Sequence, residues 1–202
     1  MTTIVDYGMG NLGSLVNMLR RVGVKAVVES NPSAISSATK LILPGVGAFD
    51  AAMQRINGVP GLREVLDRKA IEERTPILGV CLGMQLLTNS SEEGQLGGLG
   101  WIAGTARRFP RDGRLKVPHM GWNIAHPGLP SPLTAGVGLE PRYYFVHSYY
   151  VLVDEPAHSL MRSEYGVQFD AAIARDNVFG VQFHPEKSHR FGMQILANFA
   201  AL

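Results

Sequence analysis

The strongest constraint on the fold is a five-residue stretch that places the chain's only cysteine between two glycines. Residues 79–83 read Gly-Val-Cys-Leu-Gly, with an apolar run before them at 76–78 and a largely apolar run after them at 84–87. This pattern predicts a buried strand, a sharp turn and a helix, with the cysteine at the turn. Such a turn is a nucleophile elbow, in which glycines on both sides make room for closely spaced backbone. We therefore predict that Cys81 is a nucleophile, with sulfur in place of the serine oxygen.

The helix predicted directly after Cys81 adds an electrostatic reason for this role. The positive end of a helix dipole favours a thiolate over a thiol, and the thiolate is the reactive form of cysteine. The alternative is a small, buried and unreactive cysteine. A single cysteine also excludes an internal disulfide, which is typical of a protein from a reducing compartment.

A second motif supplies candidates for a base and for the group that orients it. Residues 181–186 read Val-Gln-Phe-His-Pro-Glu, and the alternating apolar run 179–183 predicts the end of a strand. In extended backbone His184 and Glu186 project to the same side, and Pro185 stiffens the segment. Cysteine, histidine and carboxylate would then act as nucleophile, base and orienting acceptor. The alternative is an ordinary surface turn.

A third motif supplies candidates for an oxyanion hole. The short run 40–43 predicts a buried strand, which ends in a loop that reads Pro-Gly-Val-Gly at 44–47. Enzymes with a nucleophile elbow take one backbone N–H from the residue after the nucleophile and another from the loop after a neighbouring strand. We predict the N–H of Leu82 for the first role and that of Val46 or Gly47 for the second. The alternative is an ordinary turn between a strand and a helix.

The order of elements along the chain predicts an α/β fold. We expect an open, mostly parallel sheet flanked by helices and containing the nucleophile elbow, with additional antiparallel strands, in one domain that covers residues 1–202. Glycines, prolines and short strand-like runs such as 143–153 place the antiparallel strands between residues 99 and 174. The remaining strands are predicted at 3–6, 25–29, 40–43 and 76–80, and the helices at 13–22, 49–56, 62–73 and 191–199.

Two details of this assignment are specific enough to test. In the helix predicted at 62–73, charged residues lie opposite an apolar side that we expect to be buried, made of Leu62, Val65, Leu66 and Ile71. Residues 31–32 are expected to form a short connection between a strand and the next element.

Composition narrows the possible partners and locations. The 202 residues are 46% hydrophobic and 18% charged, values typical of a globular protein with a sizeable core. A net charge of +2 is too small to favour nucleic acid or an anionic membrane as the partner. No apolar run approaches the length of a membrane span, and the N-terminus has no signal-peptide features. We expect a cytoplasmic protein, and the motifs require no cofactor and no metal.

The three motifs, in the order Pro-Gly-x-Gly, Gly-x-Cys-x-Gly-x-Gln and His-Pro-Glu, resemble the class I (triad) glutamine amidotransferases. The resemblance covers nearly the whole chain, and no triad position departs from the pattern. Residues 6–14, 144–149 and 184–188 are in addition similar to the glutaminase subunits of this family that serve histidine biosynthesis. The resemblance implies hydrolysis of glutamine to glutamate and ammonia by the cysteine, histidine and glutamate named above. It also implies transfer of the ammonia to a (β/α)₈-barrel cyclase subunit in a heterodimer.

The resemblance further assigns residues that would bind glutamine. Four are implied: Gln85, Glu93, Ser148 and Tyr149. Gln85 has independent support, because it lies four residues after Cys81 on the same face of the predicted helix. For Glu93 the alternative is a solvated loop acid. His147 is expected to be a structural histidine rather than a second base.

A glutaminase whose activity depends on its partner also needs a mechanism that regulates glutamine hydrolysis. Hydrolysis of glutamine without an acceptor wastes ammonia, so we expect the activity to depend on the partner and its ligand. The glycines of the loop 44–47 permit a peptide flip that exchanges a carbonyl for an N–H at the oxyanion position. Asn11 and Lys187 are our candidates for the partner interface. Their alternatives are a helix-capping asparagine and a solvated lysine.

Three alternative functions are each consistent with part of the sequence. Residues 8–13 read Gly-Met-Gly-Asn-Leu-Gly after a strand, and Glu29 ends the next strand, a pattern typical of a dinucleotide site. An NAD-dependent oxidoreductase would leave the elbow and the His-Pro-Glu motif without a role, and it has little room for a substrate domain. A binding domain without activity would have lost Cys81 or His184. Within the family, the alternative is a glutaminase for another pathway, such as pyridoxal phosphate or aromatic amine synthesis.

Overall fold

The computed structural model describes residues 1–110, 113 and 115–202, and within them the chain forms thirteen strands and six α-helices. The strands are β1 (Thr2–Val5), β2 (Ala26–Glu29), β3 (Leu41–Gly45), β4 (Ile77–Cys81), β5 (Ser90–Ser91), β6 (Gly104–Arg108), β7 (His119–Ile124), β8 (His126–Pro127), β9 (Arg142–His147), β10 (Tyr149–Val153), β11 (Ser159–Glu164), β12 (Gln168–Arg175) and β13 (Val178–Val181). The helices are α1 (Leu12–Arg21), α2 (Pro32–Ser36), α3 (Phe49–Gly58), α4 (Leu62–Asp67), α5 (Leu82–Leu86) and α6 (His189–Ala201).

The main sheet has a parallel centre and an antiparallel side. Eleven strands form it, in the order β2-β1-β3-β4-β13-β12-β10-β6-β5, with β11 paired to β12 and β8 paired to β11. The five strands from β2 to β13 run parallel to one another. The pairs β13–β12, β12–β10 and β10–β6 are antiparallel. The predicted α/β fold class, a mostly parallel sheet with additional antiparallel strands, is confirmed.

Helices cover both faces of the parallel strands. One core contains Val5, Leu41 and Leu43 together with apolar side chains of α3, α4 and α5. The other core contains Ile4 and Ile42 together with side chains of α1 and α6. Successive residues of a strand point to opposite faces, so neighbouring apolar residues enter different cores. Burial on both faces explains why these strands are continuous apolar runs in the sequence.

The neighbouring strands β3, β4 and β13 bring three distant parts of the sequence to one edge of the sheet. Gly45 lies beside Cys81 in the register of β3 and β4, and Val181 lies beside Val80 in that of β13 and β4. Because the strands are parallel, the loops that follow them leave the sheet at the same edge. Open parallel sheets bind their ligands there, outside the carboxyl ends of the strands.

The strand-like run 143–153 belongs to two different sheets. β9 ends at His147 and pairs with β7 in a separate two-stranded sheet. β10 begins at Tyr149 and joins the main sheet between β12 and β6. Ser148 is the residue at which the chain changes sheet, and this change brings Ser148 and its neighbours to the cavity described below.

The helix predicted at 62–73 is interrupted, and one side-chain assignment in it is wrong. After α4 the chain continues as a π-helical turn at Arg68–Glu72. The wider turn rotates the following side chains relative to an α-helix. Ile71, which we expected in the core, is therefore 64% exposed, whereas Lys69 is buried. The Lys69 ammonium donates to a backbone carbonyl and pairs with Glu73, contacts that offset the cost of burying its charge.

The connection expected at residues 31–32 is the start of a helix. The side chain of Asn31 accepts a hydrogen bond from the N–H of Ser33 at 2.9 Å, and Pro32 occupies the first helical position of α2. Asparagine as N-cap and proline directly after it are both favourable at a helix start. None of the helices in the described part of the chain is long and apolar enough to cross a membrane.

Candidate active site

Cys81 lies at the turn between β4 and α5 in a backbone conformation that non-glycine residues rarely adopt. Its φ is 55° and its ψ is −111°. The glycines on both sides are required by close packing. A Cβ atom on Gly83 would collide with the carbonyl oxygen of Leu43, and one on Gly79 would lie 2.6 Å from the carbonyl oxygen of Gly83. The turn therefore has the geometry of a nucleophile elbow.

His184 and Glu186 form a close pair beside this turn. Nδ1 of His184 lies 2.9 Å from Oε1 of Glu186, and both side chains are almost completely buried. The backbone between them is not extended as we expected, because Pro185–Lys187 forms a 3₁₀ turn. The turn, rather than strand alternation, directs the carboxylate back to the imidazole. Extended backbone was therefore the wrong reason for expecting this pair, although the two side chains do lie together.

Hydrogen bonds to the backbone of His184 fix the position from which its side chain extends. The N–H of His184 donates to the carbonyl of Tyr144 at 2.9 Å. The hydroxyl of Ser188 donates to the carbonyl of His184 at 2.6 Å and accepts from the N–H of Tyr144 at 2.9 Å. This segment is therefore connected to β9 as well as to β13.

The charges around His184 favour its protonated form. Burial by itself lowers the pKa of a histidine. Here hydrogen bonds to Cys81 and Glu186, and the negative charges of both, outweigh burial and raise the pKa of His184 to about 10. An imidazolium beside Cys81 at neutral pH stabilises the thiolate, which is the form that attacks a carbonyl carbon.

The three motifs meet at one cavity of about 320 Å³, a size that fits a small ligand. Ten of the residues predicted for the site line it: Val46, Gly47, Cys81, Leu82, Gln85, Glu93, Ser148, Tyr149, His184 and Lys187. Glu186 is reached through its contact with His184 and does not line the cavity, and neither does Asn11.

The loop after β3 forms one wall of this cavity. Gly47 has a φ of 106°, which favours glycine, and Val46 is 44% exposed. Within the described residues, the N–H groups of Val46 and Gly47 donate to no other backbone group. The start of the loop is anchored, because the hydroxyl of Tyr7 donates to the carbonyl of Pro44 at 2.5 Å. Free donors on an anchored loop fit the predicted oxyanion role.

The residues implied for glutamine binding lie on several elements. Nε2 of Gln85 donates to the carbonyl of Tyr149 at 3.0 Å, which connects α5 to β10. Oε2 of Glu93 accepts from the N–H of Phe49 at 2.8 Å, at the first residue of α3. Glu93 is therefore not a solvated loop acid, the alternative we considered for it. Ser148 connects β9 to β10, and it lines the cavity together with Tyr149.

Two further histidines form a buried pair beside the cavity. Nε2 of His147 lies 2.9 Å from Nδ1 of His119, and Nδ1 of His147 lies 2.8 Å from the carbonyl oxygen of Tyr149. Burial lowers the pKa of His147 to about 3 and that of His119 to about 4. Both contacts agree with the expected structural role of His147. In the described part of the chain, no group of three or more His, Cys, Asp and Glu side chains is arranged to hold a metal.

The two residues predicted for a partner interface lie in different places. The side chain of Asn11 accepts from the N–H of Ser14 at 3.4 Å and so caps α1, as its alternative assignment proposed. Lys187 lines the cavity, and its ammonium lies 5.7 Å from the ring centroid of Tyr144. The Tyr144 ring in turn contacts Trp122, which is 48% exposed.

Sequence reasoning missed Tyr7 and Gln182, two buried polar residues around Cys81. Tyr7 holds the loop after β3, and Nε2 of Gln182 lies 3.9 Å from Sγ of Cys81. Gln182 did carry a signal, since it is a polar residue inside the apolar run 179–183. A buried polar side chain needs partners, and here one of them is the sulfur of Cys81.

The chain matches the family model "Glutamine amidotransferase class-I" over residues 3–202, and it belongs to this family of glutamine amidotransferase enzymes. Among its relatives are imidazole glycerol phosphate synthase subunits. It is 52% identical to subunit HisH 2 of Pseudomonas aeruginosa over the full length of both chains. It is 49% identical to subunit HisH 2 of Methanococcus maripaludis over 98% of each chain.

Solved structures show the same fold at lower identity. A glutamine amidotransferase crystal structure superimposes with a TM-score of 0.75 at 16% identity, over 99% of both chains. A putative GMP synthase subunit from Thermoplasma acidophilum gives a TM-score of 0.73 at 18% identity, over 99% of this chain and 92% of the other. The dinucleotide alternative finds no support: the Glu29 carboxylate, expected to bind a ribose, already accepts the N–H groups of Ser30 and Asn31.

Proposed function

We propose that the chain is the glutaminase subunit of an imidazole glycerol phosphate synthase and supplies ammonia for histidine biosynthesis. The observation that carries the proposal is that His184 contacts both Cys81 and Glu186 at the elbow of this family's fold. The pathway is taken from the relatives, which are themselves subunits of imidazole glycerol phosphate synthase. We treat residues 1–202 as one amidotransferase domain. A reducing cytoplasm suits it, because Cys81 must remain an unoxidised thiol or thiolate.

The mechanism begins with attack on the substrate. The Cys81 thiolate adds to the side-chain amide carbon of glutamine, and the carbonyl oxygen becomes an oxyanion. The N–H groups of Leu82 and of Val46 or Gly47 stabilise this oxyanion. His184 gives its proton to the leaving nitrogen, and ammonia departs as the carbon–nitrogen bond breaks. The product at this stage is a thioester between glutamate and the enzyme.

The second half of the reaction restores the enzyme. Neutral His184 takes a proton from water, and the resulting hydroxide attacks the thioester carbon. The carbon–sulfur bond breaks, glutamate leaves, and the thiolate and imidazolium are regenerated. Glu186 holds the imidazole through Nδ1, so Nε2 faces the sulfur and the substrate throughout.

The substrate fits the charges that line the cavity. Glu93 supplies a carboxylate, and Lys187 supplies an ammonium. A glutamine with its α-ammonium near Glu93 and its side-chain amide at Cys81 would also contact Gln85, Ser148 and Tyr149. Our proposed glutamine ligands are therefore Gln85, Glu93, Ser148 and Tyr149.

A partner should cover the mouth of this cavity. We propose a (β/α)₈-barrel cyclase subunit that forms a heterodimer with this chain and uses the ammonia to form imidazole glycerol phosphate and AICAR. Val46 and Trp122, near the cavity, are exposed apolar side chains that such a partner would bury. Lys187 is our candidate for the residue through which binding of the partner changes the conformation of the loop after β3. Asn11 is a weaker candidate, because its side chain is engaged in a helix cap.

Replacement of the nucleophile tests this function. Cys81→Ala should abolish glutamine-dependent synthesis by the complex, because no thioester forms. Synthesis from added ammonium salt should be retained, because the partner's reaction needs only ammonia. Glutamine hydrolysis by the Cys81→Ala variant would refute the triad. Failure of the wild-type chain to support a histidine-pathway cyclase with glutamine would refute the pathway.

A further inference from the structure

Gln182 is a buried amide next to the nucleophile, and the mechanism above gives it no role. Its side chain is completely buried at the end of β13. Nε2 of Gln182 lies 3.9 Å from Sγ of Cys81, and its Oε1 lies 3.3 Å from Nε2 of Gln85. An amide in an apolar core is costly unless both of its polar ends are paired. One end of this amide is therefore paired with a second amide and the other with the reacting sulfur.

A backbone carbonyl determines which end of the Gln182 amide faces the sulfur. The carbonyl oxygen of Tyr149 can only accept, so the Gln85 atom that contacts it must be the donor nitrogen. The same Gln85 nitrogen faces Gln182, so the facing atom of Gln182 must be its oxygen. The NH₂ group of Gln182 is thereby turned toward Sγ. The opposite orientation would place two donors against each other.

The atoms around Sγ distinguish a thiol from a thiolate. The carbonyl oxygen of Val146 lies 3.8 Å from Sγ, where it accepts a hydrogen bond from a thiol but repels a thiolate. The N–H of Gln182 has the opposite preference, because it donates to a negative sulfur. His184 acts in the same sense as Gln182. A thiolate is therefore supported by two donors.

Lys187 is the cation that lines the cavity, and its ammonium lies over the Tyr144 ring, 5.7 Å from the centroid. Tyr7, His147 and Glu186 carry no positive charge that could replace the two donors. Burial and the charge of Cys81 raise the pKa of Tyr7 well above its usual value, so its hydroxyl is neutral and donates to Pro44. His147, across the cavity, is neutral because burial lowers its pKa to about 3. Glu186 acts on the sulfur through His184.

We propose that Gln182 is a catalytic residue whose amide N–H stabilises the thiolate of Cys81 from the buried side of the site. The amide keeps its donor after His184 has given its proton to the leaving nitrogen of glutamine, so it also stabilises the sulfur as the leaving group of the thioester. The proposal rests on the proposed function, in which Cys81 is the nucleophile.

Alkylation of the lone cysteine tests the proposal in the full chain. Gln182→Met keeps the approximate length of the side chain and removes the donor. The pH midpoint of alkylation by iodoacetamide, followed by mass, should move upward by about one unit, the size of one hydrogen bond to a charged group. Gln194→Met is the matched control, since it makes the same change at an amide of α6 that bonds to Asn198. An unchanged midpoint in Gln182→Met would overturn the proposal.

A second variant separates stabilisation of the thiolate from simple positioning of Gln85. Gln182→Glu keeps an acceptor for Gln85 but places a carboxylate oxygen against the sulfur. Thiolate stabilisation predicts that kcat for glutamine falls about tenfold in Gln182→Met and further in Gln182→Glu. Positioning alone predicts the reverse order, with the main change in KM, and that result would overturn the proposal.

The wild-type protein provides a test that no folding defect can obscure. The side-chain ¹⁵N–¹H resonances of Gln182 should shift with pH at the alkylation midpoint, and this shift should be absent in Cys81→Ala. Resonances of Gln182 that do not respond to the thiol would overturn the proposal. If Cys81→Ala still hydrolyses glutamine, the proposed function fails. If Cys81 is essential but Gln182 is insensitive, only this inference fails.

Discussion

His184 and His147 line the same cavity and are equally buried, each residue being 5% exposed, yet their pKa values shift in opposite directions. The pKa of His184 is raised to about 10, whereas that of His147 is lowered to about 3. His184 contacts Cys81 and Glu186, and hydrogen bonds and charge interactions with these two groups outweigh burial and raise its pKa. His147 lies between a backbone carbonyl and the neutral imidazole of His119.

The comparison teaches that burial does not decide the charge of an imidazole. Burial lowers the pKa of both histidines, and only His184 has negative partners that reverse this effect. A histidine that is already protonated can give its proton to ammonia, and once neutral it can accept one from water. His147 holds a backbone carbonyl and cannot titrate near neutral pH. The choice of base therefore follows from the neighbours.

The largest expected effect comes from replacing each histidine by asparagine. His184→Asn should lower kcat for glutamine by roughly 10⁴-fold, because the proton donor and acceptor is lost. His147→Asn should lower kcat far less and the free energy of unfolding more, because it removes contacts in a buried aromatic cluster. Steady-state kinetics and urea unfolding of both variants measure the contrast. Comparable losses of kcat would contradict it.

The next effect concerns the carboxylate that distinguishes the two histidines. Glu186→Gln should lower kcat by about 10²-fold, less than His184→Asn, since the orienting group contributes less than the base. Without the negative charge the pKa of His184 falls from about 10. The alkaline limb of the pH profile of kcat/KM, where the imidazolium is lost, should therefore move to lower pH. A limb that stays near pH 10 would show that Glu186 does not raise this pKa.

A third effect concerns the stability of the protein in acid. The folded-state pKa values of His119 and His147 lie below the unfolded value of 6.5, so the unfolded chain binds protons first as the pH falls. The contribution of these two histidines to stability is complete above pH 6.5 and is lost between pH 6.5 and about 4. His147, the more deeply buried of the two, should lower the free energy of unfolding by about 3 kcal/mol by pH 4, and His119 should add to this decrease. Urea unfolding across this range is the measurement, and His119→Phe should flatten the curve.

The smallest expected effect belongs to an exposed cation at the same cavity. Lys187→Ala should lower the ligand-stimulated glutaminase activity of the complex by less than about tenfold, because an exposed charge contributes little by itself. The ammonia-dependent reaction should be unchanged. Assays of both reactions with and without the cyclase ligand measure the difference. If the isolated wild-type subunit already hydrolyses glutamine at the full rate of the liganded complex, the partner does not regulate the glutaminase activity, and this prediction is wrong.

The elbow and the pairing of His184 with Glu186 were predictable because each depends on residues close together in the sequence. The elbow needs glycines at fixed positions around Cys81, and a single residue, Pro185, separates the histidine from its carboxylate. The π-helical turn after α4 was not predictable, because apolar spacing alone assumes a regular α-helix. The burial of Lys69 and the exposure of Ile71 both follow from that turn.

The sequence by itself determined the type of fold and the candidates for the nucleophile and its base, since these depend on local patterns of apolar residues, glycines and short motifs. The tertiary structure decided which distant groups surround them. The pairing of β3, β4 and β13 brings the loop after β3, Cys81 and His184 to the carboxyl ends of the strands. The contact of Gln182 with the sulfur and that of His119 with His147 join residues 101 and 28 positions apart. Charge states and hydrogen-bond partners depend on distances in space, and no local pattern in the chain records them.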